Sequence, residues 1–229
     1  MEIRPIAHLE CDFPTKFGLP RQSGLNSDLT GRIVFNPEFR NPDAVRGLKE
    51  FSHIWLIWAF SVPEREGWQA TVRPPRLGGN VRVGVFATRS PFRPNPLGLT
   101  VAKLLEVVTE GANAPYLVIA GADMMNGTEI FDIKPYIPYA DAHPEATGSF
   151  AEEMRGYRLR AEVPEEMLKV FREPQQRALL SALELDPRPA YQNDPNRAYG
   201  FLFAGYDVRF TVRDGVLRVF EIVKAENKR

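Results

Sequence analysis

The chain has 229 residues, 29 basic and 29 acidic side chains and 44% hydrophobic content, so it can bury a sizeable core but is no polyanion binder by overall charge. A single cysteine, Cys11, excludes a disulfide framework within the chain and suits a reducing compartment. The N-terminus has no apolar signal core, and the longest apolar run, Phe51 to Pro63, is short of the ~20 residues that span a bilayer, so the expectation is a soluble, cytoplasmic protein with no membrane association.

In chain order, Ile3–Cys11 reads as a first strand. Phe13–Asn26 holds Pro14, Gly18, Pro20 and Gly24, and reads as a long ordered loop. Gly31–Phe35 is short and β-branched, and Val45–Phe51 suits a turn of helix. His53–Val62, with Ile54, Trp55, Leu56, Ile57, Trp58 and Phe60, predicts a strand apolar on both faces, buried or set in a subunit interface. Val81–Ala87, Leu99–Val108, Tyr116–Ala122 and Ile130–Ile133 are further strands. Short strands punctuated by Gly and Pro, with no long amphipathic helices between them, predict a mainly β antiparallel sheet or barrel rather than a doubly wound fold.

Composition changes after Asp141. Pro164–Leu185 reads as helical, broken at Pro174. Phe201–Thr211 and Val216–Val223 flank Asp214-Gly215, a hairpin signal. The expected organisation is a β-barrel over 1–145 and a small α+β domain over 146–229.

Several chemistries lack their motifs. No G-x-G-x-x-G, P-loop or G-x-S-x-G is present, and His8, His53 and His143 are too far apart in sequence to suggest a metal site. What is present is a one-signed stretch. Between Glu66 and Glu106 there is no acid, while Arg73, Arg76, Arg82, Arg89, Arg93 and Lys103 supply six positive charges. Such a cluster suits anion binding, and arginine forks suit phosphate and carboxylate. Within it, Arg89–Gly98 carries three prolines in six positions, which makes a stiff extended loop aiming Arg89, Ser90, Arg93 and Asn95 in fixed directions. Further on, Asp132, Lys134 and Tyr136 alternate onto one face of a strand. A carboxylate, an ammonium and a phenol within mutual reach can serve proton transfer, or can be an exposed ion pair beside a packed tyrosine.

Taken together, Pro20-Arg21-Gln22, Thr71–Asn80, Gly84–Gly98, Asp132–Tyr139 and Asp186–Tyr191 resemble the TrmO/TsaA-like family over nearly the whole chain. The resemblance implies a non-Rossmann β-barrel methyltransferase. It would use S-adenosylmethionine to methylate N6 of threonylcarbamoyladenosine at position 37, just 3′ of the anticodon in the tRNA anticodon loop. It also implies a homodimer with a shared cofactor site and no metal. By motif position, cofactor contacts would come from Pro20, Arg21, Gln22, Ser61, Val62, Arg89, Leu99, Asn126, Gly127, Thr128 and Glu129. Two departures stand out. Asn126-Gly127-Thr128-Glu129 replaces the family's more usual Asp-Gly-Thr-Pro, and Ser61-Val62 replaces a polar pair. Asp132, Lys134 and Tyr136 are the catalytic candidates, with Asp132 or Tyr136 taking or relaying the N6 proton. Arg21 or Arg89 is the candidate for the cofactor carboxylate. Arg73, Arg76, Arg93 and Asn95 are the candidates for substrate contact. The alternatives are a methyltransferase for another acceptor, or a module that binds cofactor and RNA without catalysis.

Overall fold

The structure, a computed structural model, describes all residues except 1, 61–66, 75–80, 155, 189–193 and 227–229. The first half builds β1 (Ala7–Cys11), β2 (Thr30–Phe35), β3 (His53–Ala59), β4 (Thr71–Val72), β5 (Val83–Gly84), β6 (Leu97–Val108), β7 (Tyr116–Ala120) and β8 (Glu129–Pro135). Six of these close into a barrel in the order β1-β2-β7-β6-β3-β8, every neighbouring pair antiparallel. Closure leaves the barrel no free edge. β4 and β5 form a separate two-stranded ribbon.

Period-two patterning fills the barrel. Leu9, Ile33, Ile54, Leu56, Leu117, Ile119 and Ile130 are fully buried inside it. β3 is buried on one face within the chain, which leaves the subunit-interface alternative for the other. Ile54, Leu56 and Trp58 point inward and are buried, whereas His53, Trp55 and Ile57 lie half-buried on the outer wall. Val81–Ala87 yields only the two residues of β5, followed by a single 3-10 turn, Val85–Ala87.

The second half contains α1 (Pro138–Asp141), β9 (Arg160–Glu162), α2 (Glu165–Leu168), α3 (Glu173–Glu184), β10 (Tyr199–Phe203), β11 (Tyr206–Arg213) and β12 (Val216–Lys224). The sheet order is β10-β11-β12-β9, with β9 parallel to β12. α3 lays Ala178, Leu179, Ala182 and Leu183 onto Phe201, Phe203, Val208 and Phe210. Pro174 sits in the first turn of α3, where a missing N–H breaks no helical bond, so the interruption falls ahead of it. The run Phe201–Thr211 is a hairpin, not one strand, because Ala204 and Gly205 turn at φ 48° and 82°. Asp214 and Gly215, at φ 52° and 76°, make the expected tight turn into β12.

The long loop between β1 and β2 belongs to both halves. Phe13 and Leu29 are buried in the C-terminal core. Asn26 Nδ2 donates to the Ala178 carbonyl at 2.8 Å, and Gln175 Nε2 donates to both Asp12 carboxylate oxygens at 3.1 Å. Arg21 Nη2 donates to the carbonyls of Asp186 and Arg188 at 2.8 and 3.0 Å. Those carbonyls are held by a bidentate pair, with Arg188 Nε and Nη2 reaching the two Asp186 oxygens at 2.8 and 2.9 Å. Tyr157 adds its hydroxyl to Asp186 at 3.3 Å. The segment Asp186-Pro187-Arg188 thus ties the loop to the C-terminal half.

Burial by itself pushes the Asp186 carboxyl up, but the hydrogen bonds and charge of Arg188 outweigh it and hold the group below its ordinary value of 3.8. A depressed carboxyl stabilises the fold fully above that ordinary value and loses the contribution as pH falls through it toward the lower folded value. Both side chains are only 10% exposed, so Arg188→Ala leaves a buried, unpaired carboxylate and should cost about 3 kcal/mol, read as a lower urea midpoint at pH 7. The gap between variant and wild type should narrow as pH drops below 4. An equal gap at pH 7 and pH 3 would exclude the pair as its source.

Candidate active site

Strand direction brings one set of chain ends together. The ends of β1, β3 and β7 and the starts of β2, β6 and β8 share one rim of the barrel, as the registers Cys11↔Gly31, Trp58↔Gly98, Thr30↔Ala120 and Trp58↔Ile130 show. The loop carrying Pro20, Arg21 and Gln22, the segment Thr88–Gly98 and the turn 121–128 all open from this rim.

The proline-rich segment is stiff because its own side chains pair with its backbone, hydroxyls accepting from N–H groups and a guanidinium donating to carbonyls. Ser90 N–H donates to Thr88 Oγ1 and Phe92 N–H to Ser90 Oγ. Arg93 Nη1 donates to the Thr88 and Ser90 carbonyls at 3.1 and 3.3 Å, bracing the loop from within. Arg89 is exposed and donates Nη1 to Gln22 Oε1, which joins two of the expected cofactor segments. Asn95 is exposed, and so is Arg73 beyond β4. Ser61, Val62 and Arg76 lie outside the described residues.

The turn Asn126-Gly127-Thr128 is fastened to β1 and its extension. Asn126 Oδ1 accepts the Cys11 N–H at 3.0 Å, Asn126 N–H reaches the Phe13 carbonyl and Gly127 N–H the Leu9 carbonyl. Thr128 is buried with its hydroxyl on the Met125 carbonyl, whereas Glu129 is exposed at the start of β8. Cys11 beside this turn is a packing residue. Burial pushes its thiol up to about 11, and Sγ donates weakly to the Phe13 and Met124 carbonyls.

One polar group of the rim is missing from the sequence reading. Trp58 Nε1 donates to Thr100 Oγ1 at 2.9 Å, and Thr100 Oγ1 donates to Asp123 Oδ1 at 2.7 Å. Gly98 makes this possible, since a Cβ there would stand 2.2 Å from the Trp58 ring that crosses it. Burial raises the Asp123 carboxyl above its ordinary value, while the Thr100 hydrogen bond and the nearby Arg89 charge oppose the rise. The sequence signal was a lone acid in an apolar run, Gly121–Met125, whose neighbours Ala122 and Met124 are buried.

The expected catalytic residues lie on the outer wall just below this rim. Leu99, Ile57 and Asp132 form one row across β6, β3 and β8, and Val101, Trp55 and Lys134 form the next. Lys134 Nζ stands 2.7 Å from Asp132 Oδ2, and Asp132 Oδ1 accepts the Ile133 N–H at 2.9 Å. The Tyr136 ring packs against Trp55 and His53, with centroids 5.7 and 6.2 Å apart. The trio therefore shares a face, with both charged groups open to solvent. Leu99, 56% exposed, lies in the same wall. Among the described residues, no hydrogen bond or ion pair joins Arg89 to Asp132 within one chain.

Comparison with known proteins agrees with this fold. The family model of the tRNA-methyltransferase O N-terminal domain matches residues 8–142, and that of the TrmO C-terminal domain matches 158–225. A tRNA (adenine(37)-N6)-methyltransferase of Escherichia coli K12 is 37% identical over 229 residues, covering 96% of this chain and 97% of that protein. A protein of the same name from Eikenella corrodens is 42% identical over 177 residues, covering 77% of this chain and 99% of its own. A crystal structure of TrmO from Pseudomonas aeruginosa superposes with a TM-score of 0.76 at 30% identity, covering 97% of this chain and 98% of that one. With both family models matched in chain order and this barrel in common with the solved structures, the chain belongs to the tRNA-methyltransferase O (TrmO) family.

Proposed function

We infer that this protein is a tRNA methyltransferase that transfers a methyl group from S-adenosylmethionine to N6 of the modified adenosine at position 37, threonylcarbamoyladenosine. The observation that carries this reading is a single barrel rim from which the Gln22–Arg89 pair and the 126–128 turn both open, with Asp132, Lys134 and Tyr136 on the outer wall below it. The Escherichia coli relative named for methylation of adenine 37 shares nearly the full length of the chain.

The rim residues suit such a cofactor. Arg89 is an exposed guanidinium held by a neutral amide and, among the described residues, paired with no carboxylate, which leaves it available for a ligand carboxylate. Pro20, Arg21 and Gln22 would line the same pocket. Arg21 would do so chiefly by holding the loop, since its Nη2 is engaged by two carbonyls. Asn126, Gly127, Thr128 and Glu129 offer a turn of backbone, Leu99 an apolar surface, and Ser61 and Val62 are the remaining candidates. Bound S-adenosylmethionine supplies a methyl group on a sulfonium, whose charge disappears on transfer.

The acceptor nitrogen is urea-like and its lone pair is delocalised, so it attacks better as its proton leaves. Asp132 accepts or relays that proton as the N–CH3 bond forms and the methyl–sulfur bond breaks, with Lys134 fixing the carboxylate and Tyr136 farther along the same face against Trp55 and His53. Positioning of acceptor and methyl group supplies much of the rest, of the order of several kcal/mol. Arg73, Arg76, Arg93 and Asn95 face the anticodon loop, Arg93 also serving as the brace of its own segment.

Among the described residues no hydrogen bond or ion pair joins Arg89 to Asp132, and the outer wall of β3, β6 and β8 leaves Leu99 56% exposed and Ile57 half-buried beside it. The proposal is a homodimer in which one wall faces the rim of the second copy, so that each cofactor site is shared. The working division stays at 1–145 and 146–229, between the end of β8 and the start of β9. A tRNA substrate supports a cytoplasmic location. No helix among the described residues is long and apolar enough to cross a membrane.

Asp132→Asn should lower single-turnover methyl transfer about a hundredfold or more while cofactor affinity by calorimetry stays unchanged. Normal turnover would remove Asp132 from catalysis. Mixing Arg89→Ala with Asp132→Asn protein should restore activity, because a mixed dimer with a shared site keeps one site intact. Failure to complement, with subunit exchange confirmed by native mass spectrometry, would place each site within one chain. For tRNA, log affinity should fall linearly with log salt at about 0.7–0.9 per phosphate contacted, and Arg73→Ala should flatten the slope by about one contact.

A further inference from the structure

Arg89 and Asp123 stand at the same rim with opposite charges, and neither neutralises the other directly. Arg89 is drawn to Gln22 Oε1. Asp123 is drawn to Thr100. The hydrogen-bond chain behind Asp123 has a fixed direction. An indole N–H only donates, so Trp58 occupies a lone pair of Thr100 Oγ1, and the single hydroxyl proton of Thr100 goes to Asp123 Oδ1. Trp58 and Thr100 are both buried, at 8% and 1% exposure, so the anchor is rigid. The carboxylate reaches the rim as an oriented acceptor with Oδ2 engaged by no side chain among the described residues. A half-buried carboxylate in that state loses solvation with the Arg89 charge near but no cation bonded to it among the described residues, an arrangement that a cationic ligand group completes.

A zwitterion needs a cation and an anion side by side that have not collapsed onto each other. Resting on the cofactor reading above, we propose that Asp123 and Arg89 form the subsite for the amino-acid end of S-adenosylmethionine, Asp123 accepting from the α-ammonium and Arg89 donating to the α-carboxylate. Asp123 thereby determines specificity. It selects a ligand bearing the intact amino-acid end over the bare nucleoside thioether, and the Trp58–Thr100 chain positions it.

Calorimetry with two ligands tests this. S-adenosylhomocysteine carries the amino-acid end, and 5′-methylthioadenosine lacks it but keeps adenosine and thioether. Asp123→Asn should weaken S-adenosylhomocysteine about tenfold to a hundredfold and leave 5′-methylthioadenosine within about twofold, a size suited to a hydrogen bond to a charged group. Thr100→Val, which frees the carboxylate from its anchor, should show a smaller loss with the same selectivity. Decarboxylated S-adenosylmethionine should stay sensitive to Asp123→Asn and become insensitive to Arg89→Ala. Equal losses for both ligands would overturn the proposal, because Asp123 would then be reading the nucleoside or holding the fold. No loss for either ligand would overturn it as well. Wild-type protein that binds neither ligand would overturn the cofactor reading itself, and the subsite with it.

Discussion

Closure of the barrel through the β1–β8 pairing is the constraint on which the site depends. That pairing lays the turn 126–128 against Leu9–Phe13, and the β2–β7 and β3–β6 pairings bring the loop after β1 and the proline-rich segment to the same rim. Residues as far apart in sequence as Gln22 and Arg89 then share a hydrogen bond. An open sheet of the same strands would leave two edges and no common rim.

The loop between β1 and β2 couples this rim to the rest of the molecule. It places Phe13 and Leu29 in the C-terminal core and takes the Asp186–Arg188 pair as a foothold for Arg21. The C-terminal half thereby holds in place the loop that carries Pro20, Arg21 and Gln22. This is a physical reason for the polar residues of the segment Asp186-Pro187-Arg188. Its charges satisfy each other, and its carbonyls are aimed at a guanidinium from the other half.

The site contains two kinds of polar group. At the rim, Trp58, Thr100 and Asp123 are anchored from a buried base, with each donor and acceptor role assigned by the indole N–H. On the wall, Asp132 and Lys134 pair in solvent, where an ion pair contributes little to stability. The first arrangement suits fixed recognition. The second suits a group that must change protonation and meet a large substrate, and it is cheap to maintain until that substrate arrives.

Local sequence determined the pieces. Alternating apolar residues set the strands, prolines set the stiffness of the Arg89 segment, and Asp214-Gly215 set its hairpin. Alternation also put Asp132, Lys134 and Tyr136 on one face, and long unusual motifs such as Gly84–Gly98 pointed to the family. The turn at Ala204-Gly205 escaped because alanine gives no warning of a positive φ. The two readings of β3, buried on both faces or set in a subunit interface, could not be separated locally because an all-apolar strand reads alike whether its second face meets the core or lies open. Asp123 escaped for a deeper reason. Its role is set by Thr100, Trp58 and the missing Cβ of Gly98, which strand pairing alone brings to it. Sequence by itself fixed which chemistry is carried and on which stiff segments. Only the tertiary structure decided which charges meet, which are satisfied within the chain and which stay open for a ligand, because those outcomes depend on contacts between residues that are distant along the chain.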